Sequence, residues 1–316
     1  MTIDRTLIET PVRIGTRGSD LAMWQTNHVA GLLRQHFGPE LTIEIVRVVT
    51  EGDRVQDRPL HEIGGKGLFV KGIEEKLLAN EVDLAVHSMK DLPALSPAGL
   101  EIACTPPRED PRDALVGPAG ATMSLASLPA GTRVGTGSLR RGALVRRINP
   151  HVELVPLRGN VPTRVGRVDA GDVDVVLLAA AGLRRLGMGG RISELLAADP
   201  FCPAPAQGIL ALQCRADDER MKALLRPLEH GPTAIMAAAE RAFLQRLQAG
   251  CTVPVGCHAE LSDDGRVTVT GLVIDPSGDP IYVDQREGEV ARAAELGTQV
   301  AETLLSRGAD RIVSGV

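Results

Sequence analysis

The segment Val12-Arg-Ile-Gly-Thr-Arg-Gly-Ser19 is echoed far along the chain by Thr132-Arg-Val-Gly-Thr-Gly-Ser138. Each reads as a short β-branched strand, a Gly-Thr turn and a serine placed to cap a helix. A helical pattern follows in both copies, from about Ser19 to Phe37 and from about Ser138 to Ile148. A second apolar strand comes next, Leu41–Thr50 and Val152–Leu157, and each copy ends in a third, Val82-Asp-Leu-Ala-Val-His87 and Val173-Asp-Val-Val-Leu-Leu178. The same order of elements occurs twice.

Strands alternating with helices predict parallel βαβ units, and the apolar third strands predict sheets covered on both faces. The chain therefore reads as two similar α/β lobes with mainly parallel sheets, in the manner of a periplasmic binding protein. Proline clusters at Cys104–Arg112 and Asp199–Gln207 mark two crossings between them, and Gly208–Cys214 reads as a strand returning to the first lobe. From Gly231 the pattern changes to a helix over Thr233–Ala249, alternation over Glu260–Val283 around turns at Asp264-Gly265 and Pro276-Ser-Gly278, and a helix over Glu289–Ser306. That predicts a small α+β domain with a three-stranded antiparallel sheet. The expected division is 1–105 with 207–228, 112–202, and 231–316.

With 316 residues, 43% hydrophobic and 24% charged, the chain has the makings of two or three globular domains. The apolar stretch Val173–Leu183 carries Asp174 and falls short of the ~18 residues of a membrane span. Acids at Asp4 and Glu9, without a basic flank and apolar run, predict a cytoplasmic protein rather than a secreted one. Cysteines 104, 202, 214, 251 and 257 show no CxxC spacing and fit neither a disulfide framework nor a zinc site. The net charge of −5 hides an asymmetry, because the window Arg133–Arg167 holds eight arginines against Glu153 and stands at +7 while the remainder stands at −12. A basic focus in an acidic protein suggests an anion site.

In parallel α/β sheets, ligands collect at the carboxyl ends of strands, where turns meet helix N-termini. Both Gly-Thr turns belong there, and together they suggest a cleft gripping an anion. Many of the 30 arginines are ordinary surface residues. Arg140 and Arg141, however, fall in a helix first turn, where a cation opposes the helix dipole and an anionic ligand would offset the cost. Arg158 and Arg164 flank Gly159-Asn160 just after a strand, placed for carboxylates. Lys66, in Gly64-Gly-Lys-Gly67, lacks the spacing of a nucleotide-phosphate loop. Asp91, in His87-Ser-Met-Lys-Asp-Leu-Pro93, reads as a turn residue before Pro93, as an acid/base group, or as a fixed negative charge beside a developing cation. A satisfied core histidine is one reading of His87, which has no metal-ligand spacing to another histidine and is given no metal. Cys251, just past Gly250 at a helix end, reads as a buried thiol or as an attachment point; that location does not activate it as a redox nucleophile.

The segments Thr16–Ser19, Gly64–Phe69, Ala85–Asp91, Arg108–Asp113, Ser138–Arg141, Leu157–Asn160 and Gly250-Cys251 resemble the porphobilinogen deaminase (hydroxymethylbilane synthase) family, in order and over nearly the whole chain. The resemblance implies a transferase of tetrapyrrole and heme biosynthesis that joins four porphobilinogen units head to tail with loss of ammonia. It implies a dipyrromethane cofactor in thioether linkage to Cys251. Asp91 then corresponds to the family's catalytic aspartate, which assists ammonia loss and stabilises the resulting cation. Cofactor carboxylates fall to Lys90, Thr136, Ser138, Arg140, Arg141, Arg158 and Arg164. Substrate carboxylates fall to Arg17, Ser19, Arg158, Arg164 and Arg185, and a flexible loop to Lys66 and Phe69. The resemblance further implies porphobilinogen and the growing polypyrrole as partners, a monomer, and no metal, nucleic acid or membrane. The sequence departs from the family pattern at Glu62, where a lysine is frequent, at Gly137, where a serine is common, and at Ala206, where a glycine precedes Gln207.

Two other readings compete. A two-lobed, non-catalytic binding or sensor protein for a small carboxylated ligand would use the same cleft. A nucleic-acid binder would use Arg133–Arg167, but six aromatics leave little for base stacking.

Overall fold

The structure, a computed structural model, describes residues 5–50, 70–248 and 253–314. Residues 5–50, 70–108 and Ile209–Ala234 form one compact unit, and Glu109–Gly208 with 235–248 and 253–314 form another.

The first unit is built on a five-stranded sheet of β1 (Val12–Thr16), β2 (Ile43–Arg47), β3 (Leu84–Ser88), β4 (Leu100–Cys104) and β10 (Leu210–Arg215), in the order β2-β1-β3-β10-β4. β1 runs parallel to β2 and β3, while β10 opposes β3 and β4, so four strands share one direction. Ile14, Leu84, Val86 and Leu212 pack with Val29 and Leu33 of the helix Asp20–Phe37 on one face. Ala85 and Val82 pack with Ile73 and Leu77 of the helix Lys71–Leu78 on the other. Burial on both faces explains the continuous apolar strands.

The second unit repeats the plan with β5 (Asp113–Val116), β6 (Arg133–Thr136), β7 (Glu153–Pro156), β8 (Val175–Ala179) and β9 (Ile192–Leu195), in the order β7-β6-β8-β5-β9. β6 is parallel to β7 and β8, and β5 is the opposing strand. The echo extends to one ion pair. Arg13 on β1 donates from its backbone N–H and guanidinium to Asp83, and Arg133 on β6 does the same to Asp174. In each copy the strand start is thereby tied to the chain entering the third strand.

A three-stranded antiparallel sheet of β11 (Val255–Leu261), β12 (Arg266–Ile274) and β13 (Ile281–Glu289) follows. The helices Gly231–Leu247 and Ala293–Leu304 share its core through Phe243, Val300 and Leu304. They approach so closely that a Cβ on Gly297 would lie 2.0 Å from the Ala239 carbonyl oxygen. The strands occupy 255–289 rather than the 260–283 read from alternation, because pairing with β12 extends its neighbours beyond the clearly alternating residues. Leu272 and Ile274 of β12 also join the core of Val134, Leu144, Val175 and Leu177. The expected strand Leu41–Thr50 is likewise shorter, with β2 confined to the register that pairs with β1. Among the described residues no helix is long and apolar enough to cross a membrane.

Candidate active site

In the first unit, Ser19 caps the helix after β1, its Oγ accepting from the Ala22 N–H. Arg17 sits in the same turn. Beside it, β3 ends at Ser88 and a single turn of 3-10 helix, Met89–Asp91, carries Lys90 and Asp91. Its backbone is held by Met89 N–H donating to Ile209 and Leu92 N–H donating to Met89. Asp91 is half-buried and lines one pocket with Arg17, Ser19, Gln25, His87 and Ser88. A carboxylate and a guanidinium thus border the same space, and among the described residues no ion pair engages Asp91.

Gln25 is buried and donates to the Ser88 Oγ at 2.9 Å. His87 is buried as well, with Nε2 3.1 Å from Gln213 Oε1. Burial pushes its pKa down to about 4; the Gln213 hydrogen bond opposes this and the Arg17 charge adds to it. The ring is therefore neutral at physiological pH. The core-histidine reading agrees with this placement.

In the second unit, Ser138 caps the helix Leu139–Ile148 by accepting from the Arg141 N–H, and Thr136 Oγ1 accepts from the Ser138 N–H. Arg140 and Arg141 in that first turn are 4% and 7% exposed. Their charges meet a carboxylate of the protein itself. Asp113, the first residue of β5, receives Arg140 at 2.8 Å on one oxygen and Arg141 at 2.7 Å on the other. Gln207 Nε2 donates to the same carboxylate at 2.9 Å. Arg141 also donates to the Leu177 carbonyl, and Arg140 to that of Cys202. Burial alone would raise the Asp113 carboxyl, but the two guanidinium charges outweigh it and hold the group well below the usual carboxylate range. The offset to the helix dipole that sequence reasoning assigned to a ligand is supplied here by Asp113. An arginine has five N–H donors, so this anchoring leaves capacity on the pair, notably at Arg140 Nε and NH2.

Arg158 follows β7, and Asn160 caps the helix Val161–Asp169. Arg164 Nε donates to the Gly159 carbonyl at 2.8 Å, which steers its side chain back to the strand end. Arg185 is buried, donates to the Gly208 carbonyl at 2.7 Å and is pushed down to about 10 by burial, partly opposed by Glu109. Thr136, Ser138, Arg140, Arg141, Arg158 and Arg164 therefore all belong to the second unit, whereas Arg17, Ser19, Lys90 and Asp91 belong to the first. Cys251, Lys66, Phe69 and Glu62 lie outside the described residues.

Two family models match consecutive parts of this chain: "Porphobilinogen deaminase, dipyromethane cofactor binding domain" over residues 12–223 and "Porphobilinogen deaminase, C-terminal domain" over 234–306. The chain belongs to the porphobilinogen deaminase family. It is 48% identical to the porphobilinogen deaminase of Syntrophotalea carbinolica over 305 residues, covering 96% of each chain. It is 44% identical to that of Brevibacillus brevis over 304 residues, covering 96% of this chain and 97% of the relative. Solved structures with similarity include a Bordetella pertussis BvgS VFT2 domain (18% identity, TM-score 0.38, 68% of this chain and 84% of that one). The periplasmic aliphatic sulphonate binding protein SsuA of Escherichia coli is another (18% identity, TM-score 0.38, 75% and 70%).

Two departures from the porphobilinogen deaminase pattern have visible surroundings. A Cβ on Gly137 would lie 2.7 Å from the Leu157 carbonyl oxygen, so here the turns after β6 and β7 approach more closely than a serine allows. Ala206 adopts φ 61°, the left-handed region that favours glycine, and its N–H is held by Glu240. Sequence reasoning missed Asp113, Gln207, Gln25, Glu74 and Gln213. The Arg-Asp sequence at 112–113 was on view, but its partners are set by strand pairing, which no local pattern shows.

Proposed function

We propose that this chain is a porphobilinogen deaminase acting by stepwise head-to-tail condensation of four porphobilinogen molecules, with release of ammonia, to hydroxymethylbilane. The observation that carries the reading is the half-buried Asp91 carboxylate sharing a pocket with Arg17 and Ser19 at the carboxyl ends of β1 and β3. Porphobilinogen brings carboxylates for Arg17 and Ser19 and an aminomethyl group whose departure leaves a cation. Asp91 is the negative group beside that cation and can accept a hydrogen bond from the aminomethyl nitrogen as ammonia departs.

The residues of the second unit fit a dipyrromethane group by their chemistry, since its acetate and propionate arms need several cationic and hydroxyl donors and Thr136, Ser138, Arg140, Arg141, Arg158 and Arg164 supply them. When bound through Cys251, that group supplies the pyrrole primer to which substrate rings are added. Lys90 would pair with a further carboxylate, and Arg185 with those of the lengthening chain. The reading includes the domain division 1–105 with 207–228, 112–202 and 231–316, a monomer, and work in the cytoplasm.

Catalysis distinguishes this from a carboxylate sensor, and the near-complete match to deaminases favours the enzyme. The test is intact-protein mass spectrometry before and after incubation with porphobilinogen. The expected result is a two-pyrrole adduct mapping to Cys251 and discrete further additions on incubation. A free Cys251 thiol in active protein would overturn the attachment, and unchanged mass without product formation would overturn the activity.

A further inference from the structure

Next to Asp91 lies a run of buried polar side chains for which the proposed reaction has no role. β3 pairs with β10 so that His87 faces Ala211 and Ala85 faces Gln213. His87 and Gln213 are therefore diagonal neighbours on one sheet face, and the two alanines leave them room. The helix Lys71–Leu78 covers that face and contributes Glu74. Gln213 Nε2 donates to Glu74 Oε1 at 3.0 Å, and Gln213 Oε1 lies 3.1 Å from His87 Nε2. Glu74, Gln213 and His87 are 8%, 0% and 6% exposed, so water cannot readily substitute for any of these contacts.

With Glu74 ionised, hydrogen-bond chemistry fixes the proton positions along this run. An ionised carboxylate only accepts, so it faces the amide NH2 of Gln213. The amide oxygen is then left for His87, and an oxygen only accepts, so His87 Nε2 carries the proton. Nδ1 is the unprotonated nitrogen of a neutral ring. Were Glu74 protonated, its O–H would donate to the amide oxygen, the amide would turn over, and the ring proton would move to Nδ1. The two protonation states of Glu74 thus specify opposite tautomers.

We propose that Glu74 and Gln213 are positioning residues that fix the buried His87 ring as its Nε2–H tautomer in the wall of the Asp91 pocket. This rests on the reading of Asp91 as the group beside the developing cation. A protonated His87 would bring a second positive charge into a pocket that already contains Arg17, and would pair with the carboxylate needed for the substrate. Among the described residues, the ionisable groups around the ring are Arg17 from the turn after β1, Asp91 from the turn after β3, and Glu74, which acts through Gln213 of β10.

The experiment uses the full-length protein with its histidines labelled with 15N, the His87 signals being assigned by their loss in His87→Gln. Long-range proton–nitrogen spectra distinguish the two neutral tautomers and the imidazolium. The expected result is a neutral Nε2–H ring for His87 throughout the neutral range. An Nδ1–H ring, a mixture or a charged ring there overturns the proposal without any variant. In Glu74→Gln the new amide can donate or accept, the Gln213 orientation is no longer imposed, and His87 should become a mixture of tautomers. Because one ordinary hydrogen bond is worth about a factor of ten, kcat should fall about tenfold with little change in KM. A retained single tautomer or an unchanged kcat in that variant overturns the positioning role. Asp91→Asn separates this from the underlying reading: near-normal activity there removes the role of Asp91, whereas the His87 spectrum reports on the tautomer whatever Asp91 does.

Discussion

The strand ends of the two units share a strand–turn–capped-helix plan and carry opposite chemistry. The residues two and three after the capping serine are Leu21 and Ala22 in the first unit and Arg140 and Arg141 in the second. The opposing strand begins with Leu210, opposite Ser88, in the first and with Asp113, opposite Ala179, in the second. Where the second unit sets two cations against an anion, the first has apolar residues at the corresponding positions. The first unit carries its charges elsewhere, Arg17 in a turn one residue longer and Asp91 in the turn after β3. A duplicated scaffold thus carries two arrangements of charge: in one unit the charges are locked to one another, and in the other they border a pocket.

The comparison breaks most directly at its two aspartates. Asp91→Asn removes charge at nearly constant volume from a half-buried site without an ion pair, so activity should fall by roughly two to four orders of magnitude. Stability should move by less than about 0.5 kcal/mol. Rates of porphobilinogen consumption set against urea unfolding check both, and a destabilised Asp91→Asn would erase the contrast. Asp113→Asn should behave the other way. Two buried guanidinium groups would then share a neutral amide, which should cost about 3–5 kcal/mol of stability, measured by the same urea titration.

Acid sharpens the contrast. Unfolded, His87 takes up a proton near pH 6.5, but folded it resists until about 4. Between these values the unfolded state binds more protons, so this contribution, about 3 kcal/mol, is lost as pH falls through that window. Asp113 has a lowered pKa, so its contribution is full above the ordinary carboxylate range and is lost only as pH falls below that range. His87→Gln should therefore flatten the decline in unfolding free energy between pH 6.5 and 4, while Asp113→Asn should not. Glu74, raised by burial, acts in the opposite sense to His87 but remains in His87→Gln, so the difference between the two proteins isolates the histidine.

The smallest effect concerns backbone rather than charge. Ala206→Gly should relieve the left-handed strain at φ 61° and raise stability by about 1 kcal/mol, readable as a higher denaturation midpoint with activity intact. Gln207, next in the chain, donates to Asp113, so a loss of activity in this variant would indicate that the second unit's charge lock depends on the strained turn.

Much of this protein is determined by its sequence alone. The doubled strand–turn–helix order, the two serine caps and the motif around Asp91 are local patterns, set by side-chain period and by hydrogen bonds spanning three or four residues. Periodicity placed element centres well and element ends poorly, as at 255–289, because strand length depends on the partner strand. The partners of the charges were decided only by tertiary structure. Arg140 and Arg141 read as cations awaiting a ligand, yet Asp113 reaches them because β5 pairs antiparallel with β8. The core position left open for His87 in the sequence is where the structure puts it, but its tautomer is set by Gln213, 126 residues along the chain on β10, and by Glu74 on the helix Lys71–Leu78. The physical reason is the same in both cases: a buried charge or imidazole takes its state from whichever group shares its low-dielectric surroundings, and only the folded chain brings those groups together.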